Sequence, residues 1–215
     1  MKKIILTAVL FGLCLQPIRA QTKIEEAETL TWGLKAEANL SNFILSGLPD
    51  NAKSTMQAGA SGGGILNVKI SERFAVQGDL LFHFKSSVLD INGTKNDFHY
   101  WGEELAIYAM MQLIKCNSGR AYVGIGPYSE FGFSATNKVG GKTTDLYEKD
   151  EETGVSLMGT SNSGFGIMIG YEFNCGIQIN AGYKASITDV LEKHNNKASL
   201  FPTAISLGIG YRFGK

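Results

Sequence analysis

The chain has 215 residues, with 20 basic and 20 acidic side chains, 26 glycines and only 4 prolines. A balanced charge with no basic block gives no electrostatic support for nucleic-acid binding. Many glycines with few prolines argue against a disordered linker, and past the N-terminus no apolar run approaches the roughly 18 residues of a membrane helix.

Lys2 and Lys3 precede an apolar run from Ile4 to Leu15, and Pro17-Ile18-Arg19-Ala20 ends on a small residue before Gln21. This is the layout of a secretory signal peptide cleaved after Ala20, and the run is too short to span a bilayer. Cys14 follows Leu13 rather than a small residue, which disfavours a lipoprotein. Cleavage would take three of the 20 basic residues and none of the 20 acidic ones, leaving a net charge near −3. The rest fits one domain: a short periplasmic segment over 21–30, then a β-barrel over 31–215. Cys116 and Cys175 remain, without the spacing of a disulfide framework or a zinc cluster, and their bonding stays open.

From residue 32 onward the chain reads at a period of two. The first segments are Trp32 to Leu40, Gln57 to Ile70, Phe74 to Lys85, and a fourth around 98–115. The second half adds Tyr122 to Phe133, Gly164 to Phe173, Ile177 to Ser186 and Ala204 to Phe213. Each alternates an apolar face with a polar one, as strands do. The polar faces are rich in Gly, Ser, Asn and Gln, and they carry Lys35, Glu37, Asp79, His83, Lys85, Glu104, Glu130, Glu172, Lys184 and Arg212. Small residues among charges of both signs suit the tight interior of a narrow membrane barrel, whose apolar face meets lipid. In a soluble barrel, the structural alternative, the faces are exchanged.

The connections alternate in length. Short ones fall at Ser71-Glu72-Arg73, Lys115-Cys116-Asn117-Ser118-Gly119 and Asn174-Cys175; long ones fall at about 42–56, 86–97, 136–162 and 188–201. Short periplasmic turns and long external loops are the habit of outer-membrane barrels. Trp32, Phe74, Tyr171, Phe173, Tyr211 and Phe213 fall near one set of strand ends; Phe98, Tyr100, Trp101, Phe133, Phe165 and Phe201 fall near the other. Two such sets are what interfacial girdles require. The expected fold is therefore an all-β, eight-stranded, antiparallel up-and-down transmembrane barrel.

Several motifs resemble a known family. Trp32-Gly33-Leu34-Lys35-Ala36 with Asn39-Leu40-Ser41-Asn42-Phe43 is similar to the opening of the porin-family outer-membrane β-barrel proteins of Bacteroidetes-type bacteria. Ser71-Glu72-Arg73-Phe74-Ala75-Val76-Gln77 resembles their first periplasmic turn. Tyr122-Val123-Gly124-Ile125-Gly126-Pro127-Tyr128 and Gly170-Tyr171-Glu172-Phe173 resemble their fifth and sixth strands. Ser206, Gly208, Tyr211 and Phe213 match the C-terminal signal read by the outer-membrane assembly machinery, although Gly214 and Lys215 follow the final aromatic. The resemblance implies contact with outer-membrane lipid and lipopolysaccharide and passage through that machinery. It implies no reaction and no cofactor.

Candidate chemistry is sparse. His83 is expected in the lumen as a hydrogen-bond partner, with no nucleophilic serine placed beside it. His99 and His194 read as solvated loop residues rather than metal ligands. Asp145, Glu148, Asp150, Glu151 and Glu152 form an acidic loop without the spacing of a calcium loop. Gly59 to Gly64 lack the Gly-Lys-Ser/Thr ending of a phosphate loop and read as a packing surface within a sheet. Eight strands enclose room for side chains only, so mixed charges would pair and plug the interior. The expected function is a non-enzymatic envelope protein whose external loops serve binding, adhesion or envelope integrity. A membrane-embedded enzyme acting on lipid or peptide and a narrow solute channel are the alternatives.

Overall fold

A computed structural model describes residues 30–150, 154–192 and 198–213. The expected signal peptide, Glu151, Glu152, His194, Gly214 and Lys215 lie outside the described residues. Among the described residues nine strands follow in order: β1 (Leu30–Ser46), β2 (Lys53–Lys69), β3 (Phe74–Ile91), β4 (Thr94–Cys116), β5 (Gly119–Val139), β6 (Lys142–Asp145), β7 (Ser161–Phe173), β8 (Ile177–Ser186) and β9 (Ser199–Phe213). All neighbours pair antiparallel, and β1 pairs with both β2 and β9 while β4 pairs with β5. Eight strands thus close into a ring, and β6 is a short flap hydrogen-bonded to the far end of β5. Closure removes the unpaired sheet edges that lipid could not solvate.

The alternation read from sequence sets which way side chains point. Leu34, Ile107, Ile125, Ile167, Ile179, Leu207 and Ile209 are all exposed on the outside. Their polar neighbours Lys35, Glu104, Glu130, Glu172, Gln178 and Asn180 are buried inside. The interior is not wholly polar: Ala106, Tyr108, Met110, Tyr122, Tyr128 and Met168 form a buried cluster within it.

One end of the ring has tight turns. Only Asn117 and Ser118 separate β4 from β5, and Gly176, at φ 90°, closes the turn before β8. The other end departs from the expected loops. Much of 42–56 is strand, since β1 runs to Ser46 and β2 begins at Lys53. The segment 86–97 is no loop at all: β3 and β4 continue to a two-residue turn at Asn92 (φ 54°) and Gly93 (φ 80°). Asn-Gly suits a type I′ turn, whose twist matches the strands it joins. A second such turn, Gly140-Gly141, folds β6 back on β5 inside the expected loop 136–162.

These extensions account for strand length. About 9–11 tilted residues cross the hydrocarbon, yet β4 has 23 and β5 has 21. The surplus rises from the hairpin end and packs there. Leu89, Ala135, Leu146, Met158, Val190 and Leu200 form a second buried core, with Phe43, Phe98 and Tyr100 against it. Phe98 and Tyr100 therefore turn into this cap rather than joining a girdle. Trp101, Phe133 and Phe165 remain exposed near that end, while Trp32, Phe74 and Tyr211 are exposed near the other. The Trp32 and Phe213 rings lie 4.3 Å apart across β1 and β9.

Candidate functional site

The interior charges form three groups stacked along the lumen. Nearest the tight turns, Glu172 of β7 is fully buried and meets two guanidiniums. Arg212 of β9 reaches its Oε2 at 2.5 Å, and Arg120 of β5 at 3.1 Å. Gln178 Nε2 donates to the same oxygen at 3.0 Å, and Arg212 Nη1 donates to Asn67 at 3.4 Å. A cavity of about 400 Å³ opens beside this group, lined by Lys69, Arg73, Tyr122 and both arginines.

At mid-height, Lys35 Nζ sits between Glu37 Oε1 at 2.7 Å and Asp79 Oδ2 at 3.1 Å. Gln77 Nε2 donates to the other Asp79 oxygen at 2.8 Å, and Ser61 Oγ donates to Glu37 at 3.3 Å. Toward the cap, Lys184 Nζ donates to Glu104 Oε1 at 2.5 Å. Lys85 pairs with Glu130, whose second oxygen accepts from Asn162 Nδ2 at 3.0 Å. The two glutamates are direct cross-strand partners on β4 and β5.

All ten charged and histidine residues singled out from the sequence lie in this interior, nine of them buried and Lys85 partly so. Arg120 belongs with them and was missed. Its signal was parity, for it lies two residues before Tyr122 on the same face of β5. Counting it, Lys35, Lys85, Arg120, Lys184 and Arg212 balance Glu37, Asp79, Glu104, Glu130 and Glu172. Neutrality by pairing is what a low-dielectric interior demands, since an unpaired buried charge costs several kcal/mol.

His83 lies among these groups at 2% exposure, but its Nε2 has no hydrogen-bond partner among the described residues. Its ring instead stacks on Tyr100, with centroids 5.3 Å apart. His99 is exposed and stacks on Phe84 at 5.9 Å. In the acidic loop, Asp145 Oδ1 accepts from the Tyr147 amide at 2.9 Å, which fixes the chain beyond β6. Cys116 and Cys175 are exposed, free thiols at the tight-turn end. Gly59 and Gly63 are packing positions, because an added Cβ would lie 2.2 Å from the Phe84 carbonyl and 2.0 Å from that of Leu80.

A closed ring of eight antiparallel strands, aliphatic outside and ion-paired inside, defines a β-barrel of the bacterial outer membrane. The chain belongs to the outer membrane protein beta-barrel domain family, whose profile matches residues 5–213. OprG, an outer membrane protein of Pseudomonas aeruginosa, is a similar solved structure: 15% identity, TM-score 0.53, 87% of this chain and 97% of that one covered. Ail, the attachment invasion locus protein of Yersinia pestis, matches at 15% identity and TM-score 0.40, covering 85% and 98%. Neisserial surface protein A matches at 14% identity and TM-score 0.42, covering 85% and 97%. No curated protein matches the chain. At such identities the likeness concerns the fold alone.

Proposed function

We propose that this protein is a non-enzymatic, non-conducting anchor that holds a folded external cap at the cell surface for binding, adhesion or envelope integrity. The observation that carries this reading is the filled lumen: five acids and five bases pair across it, with tyrosine and methionine side chains packed between them. A solute would have to break several of these pairs at once, each buried where charge separation is costly. The cap supports the second half of the reading. Its apolar core holds the hairpins in one arrangement, so the external surface is preformed rather than ordered on binding.

Outer-membrane lipid would meet the aliphatic wall, and lipopolysaccharide would meet the external girdle and cap. The last strand would serve as the assembly signal: Tyr211 is exposed on the wall and stacks edge-on with Phe213 at 4.9 Å, while Ser206 is buried. Planar-bilayer recording tests the closed lumen. The purified barrel is expected to give no steady conductance above the empty bilayer, and a sustained single-channel current would overturn the proposal.

A further inference from the structure

His83 is the one member of the sequence-derived set that takes no part in the ion pairs described above. Its ring is 2% exposed, and Nε2 is buried without a hydrogen-bond partner, a state that costs free energy a ligand would recover. A ring nitrogen of His83 and one carboxylate oxygen from each of Glu104 and Glu130 lie within 4.8 Å of one another. The glutamates face each other directly across β4 and β5, where like charges repel unless a cation stands near both.

We propose that His83, Glu104 and Glu130 form a binding site for a transition-metal cation of the zinc type, in which Lys85 acts as the competing resident cation. The donor set decides the class of ion. Two carboxylates alone would suit calcium or magnesium, but an imidazole nitrogen among them selects zinc, cobalt or nickel. Three atoms within that limit of one another share a point no more than about 2.8 Å from any of them, against roughly 2.0–2.2 Å for zinc bonds, so modest side-chain rotations close the site.

The surroundings fit such an ion. Glu104 and Glu130 each already hold an ammonium group, from Lys184 and Lys85 respectively. Asn162 fixes the Glu130 carboxylate through its other oxygen, as an outer-shell residue does at metal sites. Lys85 and Glu130 both line a small cavity of about 50 Å³ beneath the cap. That cavity leaves room beside Glu130 into which the displaced Lys85 side chain can turn. Metal uptake is then an exchange, in which a divalent ion takes the Glu130 oxygen that Lys85 releases.

The barrel in detergent, with every cysteine alkylated so that free thiols take no metal, is titrated with Zn²⁺ by calorimetry and with Co²⁺ by visible absorption. One equivalent is expected to bind. His83→Gln should weaken binding more than about 100-fold, beyond the roughly 10–100-fold typical of outer-shell changes. Lys85→Met removes the competitor and should tighten binding about tenfold, whereas His99→Gln should leave it unchanged. Heat-modifiable gel migration reports folding of each variant, and Glu130→Gln substitutes should His83→Gln fail to assemble. Absence of uptake by the unsubstituted protein, undiminished binding in a folded His83→Gln or Glu130→Gln barrel, or weaker binding in Lys85→Met overturns the proposal.

Discussion

At the scale of single residues, the sharpest asymmetry lies around Glu172. Its carboxylate is fully buried and answers two guanidiniums, whereas the Arg120 side chain is 31% exposed and can reach water. Glu172→Gln would leave Arg212 buried without its counter-charge, a loss of about 3–5 kcal/mol. Arg120→Ala leaves the Glu172–Arg212 pair intact and should cost no more than about 1 kcal/mol, as exposed pairs do. Urea midpoints of barrels folded in detergent, compared at constant m-value, check both figures. Similar effects from the two substitutions would mean that the pair with Arg212 is not what holds this end together. The same residues show how far sequence reaches. Alternation puts Glu172 and Arg212 on the polar faces of β7 and β9, but which arginine meets which acid depends on register. Nothing local to Arg120 announces that a strand 52 positions away will bring Glu172 beside it.

At the scale of elements, glycines in β2 set how closely β2 and β3 approach. A Cβ at Gly63 would fall 2.0 Å from the Leu80 carbonyl oxygen, part of a backbone that cannot yield without breaking the ladder. At neighbouring Gly62, on the opposite face, the nearest atom would be the Lys35 carbonyl oxygen at 3.5 Å, an ordinary contact. Gly63→Ala is therefore expected to abolish or sharply reduce heat-modifiable folded barrel, while Gly62→Ala folds normally. Loss of a strand-interior glycine is otherwise mildly favourable, so equal folding of the two would contradict the register of β2 on β3. Strand identity was legible through the membrane-crossing part of the barrel strands, end to end in β8 (Ile177–Ser186), and failed above it where strands such as β3, β4 and β5 run on, for a physical reason. Within the bilayer the outside is greasy and the inside polar. Beyond it the outside is water, and the inward face becomes apolar instead, as Phe43 on β1, Leu89 on β3, Phe98 on β4 and Leu200 on β9 show. The alternation continues but its chemistry inverts, so 86–97 reads as a break in pattern although it is an unbroken hairpin.

At the scale of the whole molecule, the two buried clusters divide the protein into a membrane barrel and a cap built on the same strands. The barrel interior rests on ion pairs and on the cluster around Tyr108, while the cap rests on Leu89, Leu146, Met158, Val190 and Leu200. Leu146 lies past the end of β6, its amide bonded to the Ala135 carbonyl at 2.8 Å, and its own carbonyl accepts from Met158 at 3.0 Å. It thereby ties the β6 flap to the segment leading into β7. Leu146→Asp would place a carboxylate in this apolar core, where the charge must either be desolvated or pull the flap open into water; opening costs less. The expected result is a barrel that still migrates as a folded species but whose external segment around 140–160 becomes cleavable by protease added to intact cells. Selective cleavage there would separate cap stability from barrel stability, as two cores sharing strands but few packed side chains should allow. Should the substitution instead prevent barrel assembly, the cap would be part of the folding unit, and the lumen could not be treated as an anchor independent of what it displays.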